Sequence, residues 1–191
     1  PEDRGFDYSW GFRAGARNFF PKGRQAHTIF QNGKPVPPDF AYITDELGKQ
    51  SVDFIKRHQD EPFFLYLAFN AVHIPMEATQ KYLDRFPGIE HKNRRILAGM
   101  LSAMDDAVGR VMESVRQLSL EENTLVFFYS DNGGATNKNS SRNDPLRGQK
   151  GQMFDGGIRV PFMMQWKSQI PAGLTYTCLL YTSDAADDQA C

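Results

Sequence analysis

The chain has 191 residues, of which 40% are hydrophobic and 24% charged, and its formal net charge is −1. This length and hydrophobic content suffice for one globular domain with a sizeable core. The near-neutral charge gives no reason to expect nucleic acid or an anionic membrane surface as a partner. Its two cysteines, Cys178 and Cys191, form neither a CxxC pair nor a zinc-binding spacing, and no apolar run approaches the length of a membrane span.

The first third of the chain predicts a loop, a hairpin and a helix. Residues 1–24 are rich in Gly, Arg and aromatic residues without any period, which predicts a surface loop with packed aromatic side chains or one wall of a cleft. Residues 28–36 contain an Asn-Gly pair that suits a type I′ turn, and they predict a small hairpin. Thr44 is a candidate N-cap for a helix with one apolar face, which we expect to end near Asp60.

Two apolar runs and the segment between them predict the centre of the fold. Residues 63–69 and 125–130 are apolar and aromatic runs bounded by turn-forming residues, as is typical of strands buried on both faces of a parallel sheet. Residues 94–118 carry a broad apolar stripe at helical spacing. Strand, helix and strand in this order predict a right-handed βαβ unit with parallel strands, and hence an α/β fold.

Polar residues follow both predicted strands. His73 lies in the turn after the first strand, and Asp131, Asn132 and two glycines follow the second. Because the carboxyl ends of parallel strands meet at one edge of a sheet, we expect His73 and Asp131 to share that edge. Carboxylate and amide oxygens are hard donors that suit Ca²⁺ or Mg²⁺. Taken singly, however, an ordinary turn and a hydrogen-bonded turn histidine also explain these residues.

The polar loop at 132–150 is almost entirely basic in its charged residues. Its cationic side chains are Lys138, Arg142, Arg147 and Lys150, with Asp144 as the one acid. Long aperiodic loops in compact domains are usually functional or disordered, so the loop predicts either a flexible cationic flap over the site or a solvated loop. A divalent cation beside Lys150 and His73 would hold a tetrahedral anion and neutralise charge on its leaving oxygen. One Asp and one Asn are too few to hold a metal, and no activated nucleophile is visible, so these residues form half an active site.

Beyond this loop, residues 158–166 predict another strand, whereas residues 179–191 turn acidic, small and aperiodic. Several short segments then share a family pattern. They are Gly5-Phe-Asp-Tyr-Ser-Trp-Gly-Phe12, residues 63–75, Phe128-Tyr-Ser-Asp-Asn-Gly-Gly134, Leu146-Arg-Gly-Gln-Lys-Gly151, residues 154–162 and residues 170–173. In order and spacing they resemble the sulfatases, the formylglycine-dependent arylsulfatase family of the alkaline phosphatase superfamily. The resemblance implies a three-layer α/β/α sandwich with a largely parallel central sheet, and residues 1–178 would be the central, incomplete part of its catalytic domain.

The resemblance also implies roles for individual residues. Asp131 and Asn132 match ligands of the family's Ca²⁺. Lys150 matches the lysine that contacts the sulfate, and His73 matches the histidine beside the leaving oxygen. Both would therefore bind substrate and take part in catalysis.

Some family features are absent or altered in this sequence. The family's nucleophile is a Cys converted to formylglycine in a Cys-x-Pro/Ala-x-Arg motif; that motif, two further Asp ligands and a Gly-Lys-x-His motif lie upstream in the family. The sequence opens on Pro1 without a signal peptide, so we expect an internal fragment that is inactive alone. We expect structural roles for Arg147 and Arg159, and little consequence of Asp155 standing where members often carry Glu. Residues 179–191 resemble translated sequencing-adapter sequence, which predicts a non-native tail.

The function implied by the resemblance is hydrolysis of an aryl or carbohydrate sulfate ester, with a sulfated small molecule or glycan as substrate, in a periplasmic or secreted protein. Two alternatives remain open. A phosphodiesterase or phosphonate hydrolase of the same superfamily would carry a Ser or Thr nucleophile and two Zn²⁺ ions. A non-catalytic chain would bind sulfated glycans without turning them over.

Overall fold

The computed structural model describes residues 1–24 and 26–175, which fold into two main helices, two small sheets and connecting loops. The helices are α1 (Ile43–Arg57), α2 (Gln80–Leu83), α3 (Lys92–Gln117), α4 (Thr136–Asn139) and α5 (Asp155–Ile158). The strands are β1 (Trp10–Gly11), β2 (Ile29–Gln31), β3 (Lys34–Val36), β4 (Val126–Tyr129) and β5 (Phe162–Gln165). Short 3₁₀ turns lie at Glu2–Arg4 and Glu121–Asn123. Within the described ranges, no helix is long and apolar enough to cross a membrane.

The two long helices pack against each other and carry most of the core. Both predicted helices are confirmed, although α1 begins at Ile43, so that Thr44 lies inside the helix and Tyr42 occupies the N-cap position. Gly48 allows the close approach, because a Cβ at this position would lie 2.8 Å from the Cβ of Ala107. The buried core residues are Phe19, Ile29, Tyr42, Ile43, Leu47, Ile55, Tyr82, Leu97, Met100, Ala103, Ala107 and Val115.

The predicted hairpin is confirmed as β2 and β3, which pair antiparallel. Asn32 and Gly33 in its turn have φ values of 48° and 76°, the positive pair that a type I′ turn requires. Strand β1, which the sequence did not reveal, adds to the same sheet beside β2. The predicted loop at 1–24 therefore also supplies a strand.

The two predicted buried strands differ from expectation. Residues 63–69 run without assigned strand structure, and their exposure alternates, with Phe64 74% and Tyr66 61% exposed while Leu67 packs toward the core. Strand β4 pairs antiparallel with β5, and no strand pairing in the described residues is parallel. Phe127 and Tyr129 of β4 are half exposed. The predicted burial on both faces and the βαβ pairing are thus wrong for this chain, because no described strand or helix covers the outer faces of these segments.

The remaining sequence predictions fall at the end of the chain. The strand predicted at 158–166 is confirmed in part, since β5 covers its second half and helix α5 ends at Ile158. The predicted non-native tail at 179–191 lies outside the described residues.

Candidate active site

After β4 the chain folds back on itself in a segment that we call the loop cluster (residues 130–157). The backbone N–H of Gly133 donates to the carbonyl oxygen of Gly157 at 2.9 Å. The backbone N–H of Lys150 donates to the carbonyl oxygen of Gly134 at 3.3 Å. The residues that follow β4 and those around Lys150 therefore belong to one hydrogen-bonded unit.

The side chain of Asn143 links two segments of this loop cluster. Its Oδ1 accepts from the Gly134 N–H at 3.0 Å, and its Nδ2 donates to the carbonyls of Gly134 and Gly148, each at 3.0 Å. Helix α3 adds an anchor, since Arg94 Nη1 donates to the Ser140 carbonyl at 2.7 Å. These bonds hold the loop in one arrangement, and its flexibility stays a prediction. Asn143 was not singled out from the sequence, because an asparagine in an aperiodic polar loop carries no signal of its partners.

Close backbone contacts in the loop cluster require glycine. A Cβ on Gly133 would lie 1.8 Å from the carbonyl oxygen of Gly156, and a Cβ on Gly156 would lie 2.4 Å from the carbonyl oxygen of Gly148. Because these neighbours are backbone atoms, they cannot rotate away as a side chain can. The glycines after Asn132 therefore dock the end of β4 against the turn before β5.

Asp131 and Asn132 stand at the point where β4 ends. Asp131 is exposed, and Asn132 is partly buried with its Nδ2 donating to the Gly133 carbonyl at 3.2 Å. That bond leaves Oδ1 of Asn132 free to accept or to coordinate a cation. A carboxylate and an amide oxygen fit part of a Ca²⁺ shell, which takes six to eight oxygens in general. In residues 1–24 and 26–175 no group of three or more His, Cys, Asp or Glu side chains could hold a metal.

Lys150 and His73 both present polar groups to solvent. The Lys150 side chain is exposed, and no ion pair to it is present in the described residues. The exposed His73 ring has its Nδ1 2.8 Å from the carbonyl oxygen of Ile74. Because a carbonyl oxygen can only accept, Nδ1 carries the proton and Nε2 is the nitrogen left to exchange a proton with a ligand.

The turn that carries His73 contacts the loop cluster. Asn139 of α4 is buried, and its Nδ2 donates to the Val72 carbonyl at 3.4 Å. The residue next to His73 is therefore held against the unit that carries Asp131 and Lys150. This contact is a side-chain hydrogen bond and not a pairing of parallel strands, and a site shared by His73 and Asp131 stays a prediction.

Two motif arginines make local contacts. The Arg147 guanidinium lies 3.9 Å from the centre of the Phe154 ring, and Arg159 Nη1 lies 4.0 Å from Asp155 Oδ2. Stacking of this kind tethers the loop cluster and supports the expected structural role of Arg147. The Arg159 pair is exposed and adds little to stability.

Residues 2–187 match the family model described as Sulfatase. The chain belongs to the sulfatase family. It is 32% identical over 177 residues to the uncharacterized sulfatase YdeN of Escherichia coli, a match that covers 91% of this chain and 30% of that protein. It is 32% identical over 169 residues to mouse arylsulfatase J, covering 84% of this chain and 28% of that protein. This sulfatase chain thus spans about 30% of the length of the curated relatives that it matches.

Solved structures show the same fold. The crystal structure of Ps i-CgsB in complex with k-i-k-neocarrahexaose superposes with a TM-score of 0.85 at 38% identity, covering 91% of this sulfatase chain and 42% of that chain. The yidJ protein of Bacteroides fragilis superposes with a TM-score of 0.67 at 19% identity, covering 89% of this chain and 40% of that one, which shows likeness of fold alone. The predicted α/β class and the predicted family are both confirmed by these matches.

Proposed function

We propose that this chain is the central part, residues 1–178, of the catalytic domain of an enzyme that hydrolyses sulfate esters. We call the full-length enzyme the parent. The main support is the loop cluster, which holds Asp131, Asn132 and Lys150 in one hydrogen-bonded unit within a chain of the sulfatase family. Residues 179–191 would not belong to the native domain, although the family match extends to residue 187, and amplification of the gene from genomic DNA would test that point.

In this proposal each site residue has one task. Asp131 and Asn132 supply two oxygens to a bound Ca²⁺, and Lys150 places its ammonium against a non-bridging oxygen of the sulfate group. His73, as an imidazolium whose Nδ1–H is held by the Ile74 carbonyl, would give its Nε2 proton to the leaving oxygen and end as the neutral ring. Ca²⁺, when bound, would supply charge neutralisation. The family's formylglycine would supply the nucleophile. The chain's own residues therefore bind and orient the ester and protonate its leaving group.

We further propose a sulfated glycan as the substrate. Two similar proteins support this choice: Ps i-CgsB was crystallised in complex with k-i-k-neocarrahexaose, and a relative from pig, 38% identical over 130 residues, is an N-acetylgalactosamine-6-sulfatase. That relative is matched over 65% of this chain and 24% of its own length. A glycan substrate fits a secreted or periplasmic enzyme.

The metal assignment can be tested with two aspartates of the loop cluster. In the parent, Asp131→Ala should abolish turnover of aryl sulfate and lower the bound calcium measured by elemental analysis, because it removes a charged ligand. Asp144 is exposed and makes no hydrogen bond or ion pair within the described residues, so Asp144→Ala is the matched control and should keep both activity and calcium. Full activity and unchanged calcium in Asp131→Ala would refute the proposal.

A further inference from the structure

The turn that carries His73 is followed by an anchored carboxylate. Oε1 of Glu77 accepts from Asn18 Nδ2 at 2.7 Å, and Oε2 accepts from the backbone N–H of Phe19 at 2.6 Å. The backbone carbonyl of Glu77 accepts from the Tyr42 hydroxyl at 2.8 Å. Phe19 and Tyr42 are buried residues of the core. Glu77 therefore ties the end of the turn to the core through both its side chain and its backbone.

A buried cation, Arg17, feels the charge of this carboxylate. Arg17 is 1% exposed, and within the described residues none of its guanidinium nitrogens has a hydrogen-bond partner. The rings of Phe12 and Phe40 lie 5.9 and 5.2 Å from its guanidinium carbon. Burial lowers the pKa of Arg17, and the negative charge of Glu77 opposes that change. The carboxylate thus compensates a charge that would otherwise be isolated in an apolar environment, which is unfavourable.

The turn has other attachments, and its residues Ala71, Val72 and Met76 pack against the core. The His73 N–H donates to the Asn70 carbonyl at 2.8 Å, but this bond lies within the turn itself. The bond from Asn139 to the Val72 carbonyl is long, at 3.4 Å, and the His73 ring is exposed. In the connection through Glu77, four residues after His73, the side chain and the backbone carbonyl both bond to buried core residues.

We propose that Glu77 is a positioning residue for His73: held by Asn18, Phe19 and Tyr42 and by the charge of Arg17, it fixes the turn from which the imidazole reaches the leaving oxygen. This inference rests on the function proposed above. Glu77 does not touch substrate in this scheme. Its loss should impair the step that His73 serves and leave binding of the sulfate group to Lys150 unaffected.

The test uses the parent and two substrates that differ in leaving group. A sugar sulfate releases a basic alkoxide that needs a proton, whereas 4-nitrophenyl sulfate releases a stable phenolate that does not. General acid catalysis contributes about 10²–10⁴-fold. His73→Ala should therefore lower kcat on the sugar sulfate by about a hundredfold or more and change kcat on the nitrophenyl ester much less. Glu77→Gln removes the charge and one of the two acceptors, so we expect the same selective loss, about tenfold or more, with little change in KM.

Two controls make the comparison specific. Glu90 is exposed and makes no hydrogen bond or ion pair within the described residues, so Glu90→Gln should behave as the parent on both substrates. In the His73→Ala background, Glu77→Gln should have little further effect, because residues that act in one step are not additive. A change that only destabilised the fold would lower the activity on both substrates alike.

The outcomes separate this inference from the proposed function. If His73→Ala lowers kcat equally on both substrates, the role proposed for His73 is wrong. The positioning role is overturned if His73→Ala lowers kcat on the sugar sulfate selectively but Glu77→Gln leaves kcat unchanged. It is also overturned if Glu77→Gln lowers kcat equally on both substrates. Should Glu77→Gln fail to fold, Tyr42→Phe removes the bond to the Glu77 carbonyl and keeps the buried ring. A smaller loss of kcat confined to the sugar sulfate would then support the inference. An unchanged kcat, or an equal loss of kcat on both substrates, would overturn it.

Discussion

The close contact between Gly133 and the Gly156-Gly157 segment can be tested by adding one methyl group to Gly133. In Gly133→Ala the new Cβ would lie 1.8 Å from the Gly156 carbonyl oxygen, whereas real Cβ contacts below 3.0 Å are essentially never seen. The backbone must move by about an ångström, which breaks the 2.9 Å bond from the Gly133 N–H to the Gly157 carbonyl. Losing that bond and leaving a buried donor without a partner costs about 2–4 kcal/mol in total. The docked arrangement should therefore become about 30-fold to 1,000-fold less favoured.

The measurement is hydrogen exchange in the parent, read at the amides of the loop cluster. Gly133→Ala should raise exchange at residues 131–134 and 155–157 and lower aryl sulfate turnover, because the end of β4 no longer docks. Gly109 lies in α3 with nothing within 4 Å of a Cβ, so Gly109→Ala is the matched control. It should stabilise the parent by about 0.5–1 kcal/mol through helix propensity. Unchanged exchange and turnover in Gly133→Ala would refute the docking described for these glycines.

Two further predictions concern the core. Gly48→Ala should lower the melting temperature of the parent, because the new Cβ would lie 2.8 Å from that of Ala107 and overpacking costs about 1–3 kcal/mol. The double variant Gly48→Ala with Ala107→Gly should recover part of the loss. Burial raises the pKa of the Tyr42 hydroxyl, so the unfolded state releases this proton first and the free energy of unfolding falls as pH rises above about 10. Tyr42→Phe should cost about 1 kcal/mol at pH 7 through the lost bond to Glu77 and should flatten that alkaline decline, as urea unfolding at pH 7 and 11 would show. An equally steep alkaline decline in the variant would contradict the role of Tyr42.

Local patterns in the sequence predicted the elements that depend on local interactions. The Asn32-Gly33 turn and the apolar stripe of α3 were sufficient, because turn geometry and helical periodicity are set by residues a few positions apart. The family motifs also led to Asp131, Asn132, Lys150 and His73.

Features that depend on distant partners could not be predicted. The runs at 63–69 and 125–130 have the composition of strands buried on both faces, but burial depends on which elements cover a strand, and the strand's own sequence does not contain that information. The same limit applies to Asn143, whose partners Gly134 and Gly148 are recognisable only once the loop has folded. The buried Arg17 belonged to a segment predicted as a surface loop, where a guanidinium would ordinarily be solvated.

The central claim is that the loop cluster around Lys150 serves sulfate ester hydrolysis, and the most direct measurement compares 4-nitrophenyl sulfate with 4-nitrophenyl phosphate in the parent. A sulfate monoester carries one negative charge and a phosphate monoester nearly two. A site with one metal ion and lysine side chains therefore suits the sulfate. The parent should prefer the sulfate ester. Lys150→Ala should lower kcat/KM on it by about a hundredfold or more, since an oxyanion contact is worth roughly 3 kcal/mol. The exposed Lys34, in the hairpin of β2 and β3, gives the control Lys34→Ala, which should have no effect. A parent that prefers the phosphate ester, or a Lys150→Ala variant with undiminished sulfatase activity, would contradict the account.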